Sequence, residues 1–89
     1  MSGITLIESH NYTQMVNQIG DPKWVDELQE SIVSTISANP FVGDPISQYV
    51  YAIESRSSVR LMSGIRVTYS YDPDVEPNYV ELLSIELIG

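Results

Sequence analysis

The spacing of hydrophobic residues changes partway along this chain, and the change restricts the folds that it can adopt. Between about residues 12 and 38, apolar residues recur every three or four positions, as on one face of an α-helix. From about residue 49 onward they recur at every second position, as in a half-buried β-strand. Helices are thus grouped before most of the strands, an order typical of α+β folds.

A short strand and two helices are predicted for the first half of the chain. Alternating apolar residues indicate a first strand that ends near Glu8. Gly20 suits the end of the first helix, Asp21 the N-cap of the second, and Pro22 its first helical position. The second helix is predicted to end at about Ala38. The apolar stripes comprise Tyr12, Met15, Val16 and Ile19 in the first helix, and Val25, Leu28, Ile32 and Ile36 in the second.

Strands are predicted for the second half, after a turn-rich connection at residues 39–45. Alternation at residues 49–53 indicates one strand, and residues 59–71 keep apolar side chains on a single parity. The hairpin turn between these strands lies either at residues 55–58 or at residues 63–64. One long strand with a glycine bulge and two shorter strands give nearly the same pattern, so both positions stay open.

The last predicted strand, at residues 79–88, is apolar on both parities, which is typical of a central strand that is covered on both faces. The resulting order β-α-α-β-β-β implies an α+β fold in which a helical hairpin packs on a mainly antiparallel sheet. Eighty-nine residues fit a single domain, residues 1–89. A domain of this size leaves little room for a deep substrate cavity.

Charge limits the partners that the protein can bind. The formal net charge of −8 repels nucleic-acid backbones. Three of the four basic residues nevertheless fall within one short segment, as Arg56, Arg60 and Arg66. We therefore expect no nucleic-acid binding beyond a weak interaction at this arginine cluster.

Cysteine content and the N-terminal segment bear on location. The chain has no cysteine, which excludes disulfides and thiolate chemistry and fits a reducing compartment. The first residues lack the basic start and the long apolar run of a signal sequence or membrane span. We expect a cytoplasmic protein that does not insert into a membrane.

Few residues carry recognisable catalytic or metal-binding chemistry. Residues 72–78 place oxygen atoms at alternate positions, as a calcium loop does, but Pro77 and Leu83 stand where that loop needs Gly and Glu. His10 is the only histidine, so neither a zinc site nor a Cys-His pair can be assembled from it. The glycine-rich motifs of nucleotide-binding loops do not occur. We predict no metal and no cofactor.

The arginines and tyrosines of the strands each allow two interpretations. Arg60 and Arg66 share a parity that faces away from the predicted helices, so they could bind an anion or an acidic partner. Alternatively they form salt bridges with acidic neighbours, for which the candidates are Glu54, Glu81 and Glu86. The strand tyrosines could stack on nucleic-acid bases, or pair across strands beneath the helices. The acidic net charge favours pairing for Tyr49, Tyr51, Tyr69 and Tyr71.

Three stretches of the sequence together carry a family resemblance. They are Asn39-Pro40-Phe41-Val42-Gly43-Asp44-Pro45, residues 60–69 (RLMSGIRVTY) and residues 82–85 (LLSI). In this order they resemble the RelE/ParE toxin superfamily, whose members join β-α-α to a β-sheet. Members commonly have an N-P-x-x-G-like turn, a stretch like S-G-Y-R-L-V-Y, and then an apolar strand. The likeness spans roughly residues 4 to 88, and it implies the same fold.

The resemblance also implies an activity, either mRNA cleavage in the ribosome (RelE type) or poisoning of DNA gyrase (ParE type). Arg66 matches the family arginine that follows the glycine, and with Arg60 it would stabilise negative charge on a phosphate. The lysines that RelE-like nucleases place before that glycine, and their polar groups near the last strand, have no counterpart here. We therefore expect the ribonuclease site to be weakened or absent.

A toxin-like protein would also have a companion antitoxin-like protein. Since this chain is acidic, the companion is expected to carry Lys- or Arg-rich segments. The alternative is a non-catalytic interaction or structural module that shares the fold and could form a homodimer. The candidate partner-binding residues are Arg56, Arg60, Arg66 and Tyr69.

Overall fold

Two helices and five strands make up the structure, a computed structural model that describes residues 4–20, 22–57 and 63–89. The α+β class predicted from the sequence is confirmed. One short strand is additional; it begins within the segment predicted to be a turn and extends two residues beyond it. The elements are β1 (Thr5–Glu8), α1 (His10–Ile19), α2 (Lys23–Ala38), β2 (Asp44–Ser47), β3 (Val50–Arg56), β4 (Gly64–Tyr71) and β5 (Tyr79–Ile88).

The five strands form one sheet in the order β1-β5-β4-β3-β2. β1 runs parallel to β5, and every other neighbouring pair is antiparallel. The prediction of a mainly antiparallel sheet is therefore confirmed, as is the interior position of the last strand. Both helices pack on one face of this sheet. We call the opposite face the bare face; it carries, among others, Glu54, Arg66, Thr68, Ser84 and Glu86.

Local sequence signals fix the helix ends. The Ser9 hydroxyl oxygen accepts a hydrogen bond from the Tyr12 backbone N–H at 3.1 Å, so Ser9 is the N-cap of α1. α1 ends before Gly20, which has a φ of +86° that glycine adopts without steric cost. Pro22 is the N-cap of α2 and not its first helical residue as predicted. The predicted N-cap residue Asp21 lies outside the described residues.

The core lies between the helices and the sheet. The predicted apolar stripes of both helices are confirmed, since Tyr12, Val25, Ile32 and Ile36 are buried and the other stripe members pack against them. The strands complete the core with Ile65, Val67, Tyr69, Tyr71, Val80, Leu82 and Ile85. Among the described residues, no helix is both long and apolar enough to cross a bilayer.

A β-bulge explains why β5 is apolar on both parities. Tyr69 pairs with Leu82 and Thr68 pairs with Ser84, so Leu83 is an extra residue in the β5 strand. Core-facing side chains therefore switch from even positions before the bulge to odd positions after it. The sequence pattern indicated burial on both faces, but residues on the bare side such as Glu86 are exposed. Both parities of β5 are apolar because even-numbered residues face the core before the bulge and odd-numbered residues face it after the bulge.

The β2–β3 connection differs from the predicted strand start. Tyr49 was predicted to begin a strand, but it lies in the two-residue turn between Ser47 and Val50 and has a φ of +67°. The alternation of residues 49–53 predicted a strand start at Tyr49, whereas β3 begins one residue later, at Val50. A positive φ at a residue other than glycine reverses the chain here, and the residues before it pair as β2.

β3 ends at Arg56 and β4 begins at Gly64, so these bounds can be compared with the two predicted turn positions. Arg56 pairs with Gly64, and the Ser57 N–H donates a hydrogen bond to the Ser63 carbonyl oxygen at 2.8 Å. Ser55 and Arg56 thus belong to β3, and Gly64 opens β4, so neither predicted turn has the right bounds. Residues 58–62, which include the predicted strand positions before Ser63, lie outside the described residues.

Alkaline pH is expected to destabilise this fold through Tyr12. The Tyr12 hydroxyl donates a hydrogen bond to Gln29 Oε1 at 2.8 Å. Burial, and then the negative charge of Glu8, raise the pKa of Tyr12 above its ordinary value. Because the unfolded pKa is about 10, this stabilisation is complete below about pH 10 and is lost as pH rises further.

Urea unfolding followed by circular dichroism between about pH 8 and pH 11.5 measures this effect. The free energy of unfolding should fall above about pH 10 in the wild type and fall less steeply in Tyr12→Phe. The exposed Tyr49 provides the control, since Tyr49→Phe should keep the wild-type pH dependence. Equal slopes for Tyr12→Phe and the wild type would contradict the assignment.

Candidate functional site: the bare face of the sheet

Arg66 lies at the centre of an ion-pair ladder on the bare face. In the strand pairing, Glu54 of β3 and Glu86 of β5 stand directly opposite Arg66 of β4, one on each side. The Arg66 guanidinium donates from Nε at 3.0 Å and Nη2 at 2.7 Å to Glu54 Oε2, and from Nη1 at 2.7 Å to Glu86 Oε2. The alternative that predicted salt bridges for Arg66 is therefore confirmed for two of its three candidate partners.

The two glutamates further stabilise the charged form of Arg66. Its pKa is raised, first by the hydrogen bond and charge of Glu54 and to a smaller extent by Glu86. The three side chains remain partly open to water, with exposures of 42% for Arg66, 41% for Glu54 and 53% for Glu86. Two carboxylates, those of Glu54 and Glu86, thus flank the single guanidinium of Arg66.

Of the two other predicted arginines, Arg56 contacts the same ladder. Arg56 is exposed at the end of β3, and its Nη2 atom lies 3.6 Å from Glu54 Oε1, so Glu54 contacts two guanidinium groups. Arg60 lies outside the described residues. Of the predicted partner-binding arginines, the structure thus brings Arg56 and Arg66 together around one carboxylate.

Tyr69 lies on the opposite side of the sheet from these arginines. Its side chain is 0% exposed, so it does not offer the partner contact that was predicted for it. Its hydroxyl donates to the Pro40 carbonyl oxygen and accepts from the Gly43 N–H, both at 2.9 Å. A Cβ atom at Gly43 would come within 2.8 Å of that hydroxyl, so glycine allows the turn to approach Tyr69. Tyr69 fastens the turn before β2 to the sheet.

Three strand tyrosines, Tyr51, Tyr69 and Tyr71, join Phe41 in an aromatic cluster. Tyr51 pairs with Tyr69 across β3 and β4, and their rings stack with centroids 5.4 Å apart. Phe41 contacts Tyr51 and Tyr71 edge-on, at centroid distances of 6.2 Å and 5.2 Å. The interpretation as cross-strand aromatic pairing is confirmed for Tyr51 and Tyr69, whereas Tyr49 lies exposed in the turn before β3.

The acidic loop between β4 and β5 is closed by its own hydrogen bonds. Asp72 Oδ1 accepts from the Asp74 N–H at 2.9 Å, as in an Asx turn. Asn78 Nδ2 donates to the carbonyl oxygens of Pro73 and Val75. Two of the oxygen-bearing side chains that the sequence aligned for calcium are thus used to shape the loop. No group of His, Cys, Asp or Glu suited to a metal ion occurs in the described ranges.

On the described part of the bare face, the arginine that could stabilise the phosphate in RNA cleavage is already paired. That reaction needs a base for the 2′-hydroxyl, an acid for the leaving oxygen and positive charge for the phosphate. The guanidinium of Arg66 is already bound by Glu54 and Glu86, so a phosphate would have to compete with both carboxylates for it. The single histidine and the single lysine of the chain, His10 and Lys23, begin the two helices in the other layer.

Comparison with known proteins gives no family for this chain. No protein-family model matches the sequence, and no curated protein matches it significantly.

Proposed function

We propose that this protein acts by binding another protein and that it does not cleave RNA. The observation that carries this proposal is the Glu54–Arg66–Glu86 ladder, which occupies the arginine that would otherwise stabilise a phosphate. A polar sheet face on which neither helix packs is better suited to protein contacts than to a small substrate.

The partner of this binding protein carries basic segments. Twelve acidic residues against four basic ones surround the molecule with a negative field. Such a field attracts a positively charged partner and speeds its association, particularly at low salt. The same field opposes the close approach of a second copy, so a basic partner is preferred to a homodimer.

The biological setting that we propose is a two-protein module of the type II toxin–antitoxin kind. Support comes from the resemblance in residues 39–45, 60–69 and 82–85, and from the order of helices and strands. In this setting the protein is the toxin-like component and acts through protein contacts. The alternative, an interaction module without toxicity, shares the same binding chemistry and differs in its effect on growing cells.

Induced expression in bacteria, with RNA cleavage sites mapped by primer extension, tests the absence of nuclease activity. We expect the same RNA fragments in cells that express the wild type, Arg66→Ala or the control Arg56→Ala. Transcript cleavage that appears with the wild type and disappears with Arg66→Ala alone would overturn the proposal. Growth arrest without cleavage supports the toxin-like setting, and unchanged growth supports the non-toxic module.

A pull-down with the purified protein then tests the nature of the partner. The captured protein should be basic, and its retention should fall as sodium chloride is raised from 50 to 500 mM, because salt screens the attraction between opposite charges. A captured acidic protein whose retention does not depend on salt would contradict the proposed charge complementarity.

A further inference from the structure

One edge of the sheet offers unpaired backbone groups. Within residues 4–20, 22–57 and 63–89, β1 pairs with β5 and with no other strand. The Ser9 N–H donates to the Leu82 carbonyl oxygen, so Ser9, and by alternation Ile7 and Thr5, direct their backbone groups toward β5. The N–H and C=O groups of Leu6 and Glu8 therefore point away from the sheet, where an added strand could pair with them.

The opposite edge of the sheet is less suited to an added strand. β2 contains Pro45, which has no backbone N–H to donate. A register irregularity between Pro45 and Ser47 also interrupts this strand. Proline and bulges are common devices that keep an edge strand from pairing with another chain. β1 has neither, so the two edges of this sheet differ in their capacity to accept a strand.

An acidic groove runs beside the β1 edge on the helical side of the sheet. The groove lies between Glu8 at the end of β1 and one side of α2, and its volume is about 430 Å³. Its charged lining residues are all acidic: Glu8, Asp26 and Glu30. Side chains of an added strand that point to the helical side, as those of Leu6 and Glu8 do, would enter this groove.

We propose that the β1 edge is the docking site for an extended, basic segment of the partner protein, which adds to the sheet as a sixth strand. Main-chain hydrogen bonds to Leu6 and Glu8 hold the segment, and every second side chain, Lys or Arg, reaches the groove carboxylates. The intervening side chains lie on the bare side next to Ile7, which is 45% exposed. This inference rests on the proposed function, since it locates the surface that binds the basic partner.

The charges along the β1 edge indicate which kind of molecule binds there. A second copy of this chain would bring its own net charge of −8 against the three carboxylates, and such repulsion disfavours an interface. A nucleic-acid strand is disfavoured for the same reason. A basic peptide satisfies both the outward backbone groups and the acidic groove.

Titration of the ¹⁵N-labelled 89-residue protein with two synthetic peptides tests the proposal. The first is acetyl-KTKVKTK-amide, in which lysine alternates with β-forming residues. The second, acetyl-KKKKTVT-amide, has the same composition and charge, but its lysines are grouped at one end. We expect the alternating peptide to bind more tightly, to shift the amide signals of Leu6 and Glu8, and to slow hydrogen exchange at both amides. Equal affinity for the two peptides, or shifts confined to other surfaces, would overturn the proposal.

A pair of matched double variants separates the groove from general electrostatics. Glu8→Gln/Glu30→Gln removes two groove carboxylates, whereas Glu27→Gln/Glu76→Gln removes two exposed carboxylates that do not line the groove. The groove variant should bind the alternating peptide about tenfold more weakly, and the control should lose less than about twofold. Equal losses would overturn the edge site. The proposed function would still stand if the pull-down captures a basic, salt-sensitive partner, so the two failures are distinguishable.

Discussion

Replacing Ile36 with alanine is expected to lower the free energy of unfolding by about 2–5 kcal/mol. Ile36 is 0% exposed and belongs to the core between α2 and the sheet. The substitution removes buried methyl and methylene groups and leaves a cavity whose walls lose their packing contacts. A domain of this length has a total stability of about 4–13 kcal/mol, so the variant is expected to be partly unfolded at 37 °C if the wild type lies at the low end.

Ile46→Ala provides the matched control for this prediction. The same side chain is removed from an edge strand, where Ile46 is 59% exposed. Its effect on the free energy of unfolding should stay within about 0.5 kcal/mol. Urea denaturation followed by circular dichroism measures both variants. Similar losses at the two positions would show that α2 does not pack on the sheet as described.

Tyr69→Phe is expected to lower the free energy of unfolding by about 1–3 kcal/mol, although only one oxygen atom is removed. That oxygen accepts from the buried Gly43 N–H and donates to the Pro40 carbonyl oxygen. Without it, the Gly43 N–H is left unsatisfied in a place that water does not reach easily. The turn before β2 would then be held to the sheet mainly by the aromatic contacts of Phe41.

Tyr71→Phe makes the same chemical change two residues further along β4, on the same face of the sheet. The Tyr71 ring packs against Phe41, but its hydroxyl makes neither of the two bonds to the turn. We expect this control to change stability by less than about 0.5 kcal/mol. Hydrogen exchange of the Gly43 amide should speed up in Tyr69→Phe and stay unchanged in Tyr71→Phe. An unchanged Gly43 exchange rate in both variants would show that the Tyr69 hydroxyl does not hold the turn to the sheet.

The helices were predictable from the sequence because their signals are local. The stripe that includes Tyr12 and the stripe that includes Ile36 each repeat with the period of a helix, and both are buried as predicted. Gly20 ends α1 for a reason that is also visible in the sequence, its freedom to adopt a positive φ. Such signals depend on residues within one or two helical turns, and no distant contact is needed to interpret them.

The strands were harder to delimit because their bounds depend on distant partners. β2 pairs with β3 although its sequence, with Pro45, is typical of a turn. The left-handed conformation of Tyr49 gives no sequence signal, since tyrosine rarely adopts it. The hydrogen bond between the Gly43 N–H and the Tyr69 hydroxyl likewise joins residues that come close together only after the sheet has formed.

The candidate site was predictable in part. Parity placed Arg66 on the face away from the helices, and Glu54 and Glu86 were among its candidate partners. The prediction of a partner contact at Tyr69 placed that residue on the surface, whereas its parity assigns it to the helical side. The groove beside β1 had no signal at all, because Glu8 and Glu30 are distant in sequence and meet only when α2 folds back over the sheet.

The extra residue at Leu83 decides which side of the molecule receives the charge of Glu86. If β5 alternated without interruption from Val80 and Leu82, the carboxylate at position 86 would point under α1, into an apolar layer that cannot solvate it. With the additional residue, the strand changes phase and Glu86 emerges opposite Arg66. Deleting Leu83 would remove the bulge and keep this phase, because Ser84 would then follow Leu82 directly and Glu86 would still stand opposite Arg66. A strand that kept Leu83 in regular alternation would instead turn the Glu86 carboxylate into the apolar layer.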